Sequence, residues 1–222
     1  LTYSDDDGLT WREIDLDPSI VMPQGFITSD GDSPIIIASN GQLWSYRSGE
    51  RNDWSEWQKL GNPNPDSNAI TGIKVEDAIY ISSRDKIWLS NDLGNNWLSS
   101  PIHNVKAIAN EGKECWAITN SGTLYYSECG TTLWEEMITI PDIAIAFDIL
   151  VKNGRIFIAS EHKDWKAYCP VVEKDLSVSN FDGLEGKQSY AVKTDTDGNV
   201  WCVAQGAFMN MGKRWEKVWP KK

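Results

Sequence analysis

A short motif that recurs along the chain constrains the fold more than any other feature of these 222 residues. Two complete copies carry serine, aspartate, glycine and tryptophan at offsets 0, 2, 4 and 7. These copies are Ser4, Asp6, Gly8 and Trp11, and Ser90, Asp92, Gly94 and Trp97. Partial copies keep some of these positions, namely Ser127 and Trp134, and Asn210, Gly212 and Trp215. Such internal repetition favours a fold built from repeated units.

The spacing of the motif indicates the size of each unit. The tryptophans that end the copies are Trp11, Trp57, Trp97, Trp134 and Trp215, and they are separated by 46, 40, 37 and 81 residues. The last gap holds two periods, so one copy has decayed, and it falls near EKDLSVSNF at 173–181. A period of about 41 residues is typical of one four-stranded blade of a β-propeller.

Strand patterns between the motifs agree with this interpretation. An apolar strand, a short turn and a second strand precede the motif in IIIASNGQLWSY, AIYISSRDKIWLS and CWAITNSGTLYYS. The turns carry residues typical of tight hairpins, such as Asn40-Gly41 and Asn153-Gly154. Each repeat therefore predicts four antiparallel strands, which we name A to D. In the third repeat they are predicted over 105–109, 114–119, 123–127 and 133–139.

The number of blades follows from the two ends of the chain. Five four-stranded repeats follow residue 20, and only a C–D strand pair precedes them, over 1–16. We therefore expect an all-β propeller with six blade positions and an incomplete N-terminal half blade. The alternative is a five-bladed ring with the first pair as an appendage. The chain is expected to form a single propeller domain over 1–222, either complete or part of a longer chain.

The Ser-x-Asp-x-Gly-x-x-Trp pattern resembles the Asp-box, or BNR repeat, of sialidase-like β-propellers. The resemblance implies that the aspartate accepts hydrogen bonds from backbone N–H groups of its own turn and that the tryptophan packs between blades. It gives Asp6 and Asp92 a structural role and leaves Asp5 and Asp7 solvated.

DTDGN at 195–199 is similar to the start of a calcium loop. Because the closing glutamate is missing, we expect an A–B turn there, and no metal or cofactor is predicted.

The resemblance also raises the question of sialidase activity, which would need three arginines around the substrate carboxylate. This chain has six arginines. Five of them flank A–B or C–D turns on the side of the motif: Arg12, Arg47, Arg51, Arg155 and Arg214. Only Arg84 falls on the opposite face, so no arginine triad forms. The sequence therefore predicts a protein that is not an enzyme and has no sialidase activity.

Net charge and cysteine content limit which partners and which cellular compartment are expected. The net charge of −11 disfavours nucleic acid. No apolar run approaches the roughly 20 residues of a membrane helix, so no membrane insertion is expected. Four scattered cysteines are expected to be buried free thiols: Cys115, Cys129, Cys169 and Cys202. Free thiols and the lack of a recognisable signal peptide favour a reducing compartment, or a virion assembled in one.

These observations favour a binding or structural scaffold module for a protein or glycan partner. The expected contact face is formed by B–C and D–A loops and carries Arg84, His103, His162 and Trp165. Trp165 is interpreted as a core residue at the start of a strand; an exposed Trp165 would favour a glycan.

Two alternatives stay open. One is a glycoside hydrolase of sialidase-like fold, using acids among Asp66, Asp85, Asp164 and Glu185. The other is a propeller component of a larger assembly, such as a phage tail or virion.

Overall fold

Every regular element that the structure describes is a β-strand. The structure is a computed structural model, and it describes residues 2–3, 10, 12–13, 23–27, 35–38, 42–46, 57–61, 63, 69–83 and 85–219. Within these ranges it contains 23 strands, β1 to β23, and no helix. No helix long and apolar enough to cross a membrane occurs in the described ranges.

Most of the strands form five antiparallel sheets that follow one another along the chain, and we name these blades 1 to 5. Blade 1 contains β3 (Pro23–Ile27), β4 (Ile35–Ala38), β5 (Leu43–Tyr46) and β6 (Trp57–Lys59). Blade 2 contains β7 (Ala69–Val75), β8 (Ala78–Ser83), β9 (Ile87–Ser90) and β10 (Leu98–Ser100). Blade 3 contains β11 (Val105–Glu111), β12 (Glu114–Thr119), β13 (Thr123–Glu128) and β14 (Glu135–Thr139).

The last two blades follow the same order. Blade 4 contains β15 (Ile143–Lys152), β16 (Arg155–His162), β17 (Ala167–Tyr168), β18 (Val171–Val172) and β19 (Val178–Ser179). Blade 5 contains β20 (Ala191–Thr194), β21 (Val200–Ala204), β22 (Gly206–Asn210) and β23 (Trp215–Trp219). In blade 4 the third strand is divided into β17 and β18, both paired with β16. Pro170 lies at the division and has no N–H to donate to the ladder.

The arrangement confirms the predicted fold class. All five sheets keep the A–B–C–D order of the sequence repeats. A separate two-stranded sheet, β1 (Thr2–Tyr3) with β2 (Arg12–Glu13), precedes them. The described residues therefore contain five four-stranded blades and one isolated strand pair, as the repeat count predicts.

The hydrophobic core lies between consecutive blades, because successive residues of a strand point to opposite faces of its sheet. In β12, Cys115 and Ala117 pack toward blade 2, whereas Ile118 packs toward blade 4. The A strands of consecutive blades contact one another in sequence, from β3 to β7, β11, β15 and β20. Blades 2, 3 and 4 are therefore each packed between two neighbouring blades.

The cysteines differ from the expectation of four free thiols. Cys115 and Cys129 form a disulfide, with their Cα atoms 5.2 Å apart. Cys115 lies in β12 and Cys129 directly follows β13, so the antiparallel pairing of these strands brings the two residues together. Cys169 and Cys202 are free and buried in the cluster between blades 4 and 5. The expectation is therefore wrong for one pair and confirmed for the other.

Candidate functional site

The complete motif copy in blade 2 forms a closed hydrogen-bond network within its own C–D turn. The Ser90 hydroxyl donates to Asp92 Oδ1 (2.8 Å) and accepts the N–H of Gly94 (2.7 Å). The Asp92 carboxylate accepts the backbone N–H of Asn96 (2.8 Å) and its side-chain amide (2.6 Å). Trp97 Nε1 donates to the carbonyl of Gly94 (3.1 Å). Asp92 is thus engaged in shaping the turn.

These hydrogen bonds favour the ionised carboxylate. The bond from the Asn96 backbone N–H is the largest cause, and together they hold the pKa of Asp92 below its ordinary value of 3.8. A group whose pKa is lower in the folded state stabilises the fold above its unfolded pKa. That stabilisation is lost as the pH falls through the folded pKa.

We therefore predict that the Asp92→Asn variant loses less stability than the wild type when the pH falls below about 4. Urea unfolding between pH 6 and pH 3 measures this dependence. Asp164→Asn, which also removes one exposed carboxylate but lies outside the motif turns, is the matched control for the change in net charge. Equal acid sensitivity of Asp92→Asn and the wild type would contradict the assigned role of Asp92.

The partial copy in blade 3 has no aspartate, and a neighbouring blade supplies the acceptor. The Tyr80 hydroxyl, from blade 2, accepts the N–H groups of Gly130 (2.6 Å) and Thr131 (3.1 Å). The same hydroxyl donates to the carbonyl of Thr131 (3.0 Å). Burial raises the pKa of Tyr80 above its ordinary value. The Ser127 hydroxyl contacts that of Thr131 at 3.0 Å within the same turn.

The motif tryptophans lie against the preceding blade. Trp97 packs on the cluster shared by blades 1 and 2, and Trp134 packs on the one shared by blades 2 and 3. Trp215 is buried in the cluster between blades 4 and 5. In the last copy, Asn210 Oδ1 accepts the N–H of Gly212 at 3.1 Å. The first copy, Ser4, Asp6, Gly8 and Trp11, lies outside the described residues.

The two ends of each blade carry different loops. A–B and C–D turns share one end, which we call the motif face, and B–C turns and D–A connections share the other, the opposite face. On the motif face, the Glu111 carboxylate of blade 3 accepts the N–H groups of Asn153 (2.6 Å) and Gly154 (2.7 Å). On the opposite face, the N–H of Ala146 in blade 4 donates to the carbonyl of Asn120 in the B–C turn of blade 3 (2.9 Å). Neighbouring blades are therefore tied together at both ends.

A groove of about 1060 Å³ opens on the motif face between blades 3 and 4. Trp116, Tyr126 and Met137 form its wall on blade 3, and Ile156 and Leu176 contribute from blade 4. Trp116 and Tyr126 are register partners in β12 and β13, and their ring centroids are 5.1 Å apart. Both aromatic residues are only half-buried. The groove therefore presents two adjacent aromatic side chains that the fold leaves partly uncovered.

The acids at the rim of the groove are partly engaged in holding the two blades. Glu111 accepts the N–H groups of the Asn153–Gly154 turn. Glu173 accepts hydrogen bonds from Arg155 Nε (3.0 Å) and Nη2 (2.9 Å). Three exposed charges also line the groove, those of Lys113, Glu114 and Lys174, and none of them has an ion pair among the described residues. With the Glu111 carboxylate, which its two N–H donors leave charged, the rim charges that have no ion pair among the described residues sum to zero.

Three of the four residues expected on the contact face, namely His103, His162 and Trp165, lie on the opposite face, away from this groove. His103 is exposed in the connection between blades 2 and 3. His162 ends β16, and its ring contacts that of Tyr168 edge to face at 5.0 Å. Trp165 lies in the turn between β16 and β17 and is 73% exposed, so its interpretation as a core residue is wrong. Arg84 lies outside the described residues.

The acidic loops show no arrangement for metal binding in the described part of the chain. The Asp195 carboxylate accepts the backbone N–H (2.8 Å) and side-chain amide (2.9 Å) of Asn199, and Trp201 Nε1 (2.8 Å). It therefore closes the A–B turn of blade 5. No group of three or more metal-ligating side chains occurs among the described residues. Of the loop acids, Glu185 pairs with Lys217 at 2.6 Å, and Asp66 lies outside the described residues.

Comparison with known proteins supports the fold. No family model matches the sequence, and no curated protein matches it either. Among solved structures, the computationally designed Ika8 protein is similar, with a TM-score of 0.65, 13% identity, and coverage of 84% of this chain and 57% of that chain. A structure titled YCF48 bound to D1 peptide has a TM-score of 0.63 and 13% identity over 89% of this chain and 68% of that chain.

A third structure agrees with these two. YCF48 from Cyanidioschyzon merolae has a TM-score of 0.62 and 11% identity, over 85% of this chain and 67% of that chain. The chain thus spans a little over half the length of the designed protein and about two thirds of each YCF48 structure. At these identities the similarity concerns the fold, and it establishes the chain as a β-propeller.

Proposed function

We propose that the protein is a non-enzymatic scaffold that binds an extended segment of a partner protein in the groove between blades 3 and 4. The observation that carries this proposal is the pair Trp116 and Tyr126, held side by side and half-buried at the groove wall. Tryptophan, tyrosine and methionine are the residue types enriched at the centres of protein interfaces, and Met137 lies in the same wall. A peptide bound by the propeller titled YCF48 gives a precedent within the fold.

The chemistry of the segment follows from the groove. An apolar or aromatic side chain would cover the faces of Trp116 and Tyr126. The charges of Glu111, Lys113, Glu114 and Lys174 balance at the rim, so they select no net charge in the segment. The segment therefore places an apolar or aromatic residue against the groove wall.

A displayed library of random peptides, selected against the whole chain, tests this proposal. Selected peptides would be synthesised with a fluorophore, and their affinity would be measured by fluorescence anisotropy as the protein is added. We predict that Tyr126→Ala and Met137→Ala each weaken binding, and that Trp116→Ala weakens it at least about tenfold. Tyr190→Ala removes an aromatic side chain that is 55% exposed elsewhere and is the matched control. Unchanged affinity in Trp116→Ala, with a native circular dichroism spectrum, would refute the proposal.

The absence of enzyme activity is part of the same proposal. Arg155 is engaged with Glu173 on the motif face, and Arg214 forms an ion pair with Glu216 at 3.5 Å. Fluorogenic glycosides, including sialosides, are expected to stay intact in the presence of the protein. Hydrolysis that disappears on substitution of loop carboxylates would favour the glycoside hydrolase alternative. The place of the chain in a larger assembly stays a prediction.

We also infer that the repeats are Asp-boxes. The inference is supported by the turn of blade 2, where Asp92 accepts the backbone N–H of its own turn and Trp97 packs against blade 1. Tyr80 takes over the acceptor role in blade 3, which explains why that copy tolerates the loss of its aspartate.

A further inference from the structure

Trp165 lies in a turn where neither burial of its side chain nor its backbone conformation favours a tryptophan. The side chain is 73% exposed, and the residue has a φ of +59°. Bulky residues rarely adopt this left-handed conformation, which glycine and asparagine occupy at lower cost. A strained backbone around an exposed aromatic side chain points to a role outside folding.

The turn that carries Trp165 is held rigidly. The N–H of Trp165 donates to the carbonyl of His162 (2.8 Å), and that of His162 donates to the carbonyl of Lys166 (3.0 Å). The N–H of Lys163 donates to the carbonyl of Asp142, in the preceding connection between blades (2.9 Å). Asp164 N–H donates to His162 Nδ1 (3.0 Å). These bonds hold the backbone of the turn that carries Trp165 on the opposite face.

The turn that carries Trp165 and the connection beside it are rich in exposed charged residues. Lys163, Asp164, Lys166 and Asp142 have side chains that are between 56% and 75% exposed. Their ion pairs are long, at 4.0 Å for Lys163 with Asp142 and 3.9 Å for Lys166 with Asp164. Such exposed pairs contribute little to stability, so these groups can exchange partners at low cost.

This combination fits a carbohydrate better than a protein. The centres of protein interfaces are depleted of lysine and aspartate, which flank Trp165 along the chain here. A pyranose ring has one face of C–H groups that can lie on the electron-rich face of an indole. Its hydroxyl groups at the edge both donate and accept hydrogen bonds, which suits neighbouring carboxylates and ammonium groups.

We propose that Trp165 and its polar neighbours form a carbohydrate-binding site on the opposite face. The indole stacks on one sugar ring, and Asp164 and Lys166 bind hydroxyl groups at its edge. The site is separate from the groove between blades 3 and 4, so a negative result for one proposal does not affect the other.

A glycan array probed with the fluorescently labelled whole chain tests this site, followed by calorimetric titration of the glycan that gives the strongest signal. Trp165→Gly should weaken that binding at least tenfold, and Trp165→Phe, which keeps an aromatic face, should weaken it less. Trp219→Ala removes another tryptophan that is 68% exposed and should bind as the wild type does. Trp116→Ala should likewise leave glycan binding unchanged.

The stability of Trp165→Gly separates binding from folding. Its thermal midpoint should be unchanged, because relief of the left-handed backbone offsets the greater freedom of glycine in the unfolded chain. Undiminished glycan binding by Trp165→Gly would overturn the proposal, and so would an array without any bound glycan. A lost protein interaction in Trp165→Gly, with no glycan bound by the wild type, would assign the indole to a protein interface instead.

Discussion

Replacing Trp215 with alanine is expected to lower the free energy of unfolding by about 3–5 kcal/mol. Trp215 ends the last motif copy, is 2% exposed, and contacts Phe157 of blade 4 edge to face at 6.4 Å. The substitution would leave a cavity in the cluster that joins blades 4 and 5, because the surrounding strands can collapse only partly. Urea unfolding followed by tryptophan fluorescence and by circular dichroism measures the loss.

Two matched variants isolate the packing role of this side chain. Trp219→Ala removes an exposed tryptophan four residues later and should change stability by less than about 0.5 kcal/mol. Trp215→Phe keeps most of the apolar volume and removes the indole N–H, which is buried without a partner among the described residues. It should therefore be much milder than Trp215→Ala. If Trp215→Ala is no more destabilised than Trp219→Ala, the motif tryptophan does not join the blades.

Loss of the disulfide between Cys115 and Cys129 is the second large effect that we expect. The bond closes a short loop, with a sequence separation of 14 residues. Closure of a loop of this size restricts the unfolded chain by about 3 kcal/mol in the chain-entropy estimate. The double variant Cys115→Ala with Cys129→Ala should therefore unfold at a lower urea concentration than the oxidised wild type.

Alkylation provides an independent check on the thiols. In denaturant without reductant, iodoacetamide should modify two cysteines, Cys169 and Cys202, and leave Cys115 and Cys129 unmodified. Prior reduction should make all four cysteines reactive, and the reduced protein should match the double variant in stability. Modification of four cysteines without reductant, or equal stability of oxidised and reduced protein, would contradict the assignment.

The blade order could be predicted from the sequence because each blade repeats a local pattern. In blade 3, β11, β12 and β13 begin at the predicted residues and end within two residues of the predicted ends. β14 begins at Glu135, two residues later than predicted, since Leu133 and Trp134 still belong to the turn. Hairpin register and alternating burial depend on neighbouring residues, so a local pattern is sufficient to indicate them.

Features that depend on packing between blades could not be predicted in this way. The groove needs Trp116 and Tyr126 of blade 3 to lie beside the Glu173–Leu176 turn of blade 4, and no local pattern relates these segments. The Tyr80 hydroxyl replaces a missing motif aspartate from a different blade, 50 residues away from Gly130. The cysteine pair carries no recognisable spacing, and its bond follows only from the register of β12 with β13.

Trp165 shows how a strand boundary changes a functional interpretation. The apolar residues after it suggest a strand that begins at the tryptophan, which would bury its side chain in a blade. In the structure the strand begins at Ala167, and Trp165 occupies the turn before it. A shift of two residues thus converts an expected core residue into an exposed one.

The central claim, that the groove beside Trp116 binds a polypeptide segment, is tested most directly by nuclear magnetic resonance of the tryptophan indole N–H groups. The whole chain would be labelled with ¹⁵N in its tryptophans and titrated with a library-selected peptide, with the Trp116 signal assigned from Trp116→Phe. We predict that the Trp116 signal moves and saturates with the peptide, whereas the signals of Trp165 and Trp219 stay in place. An unmoved Trp116 signal at saturating peptide would contradict the claim.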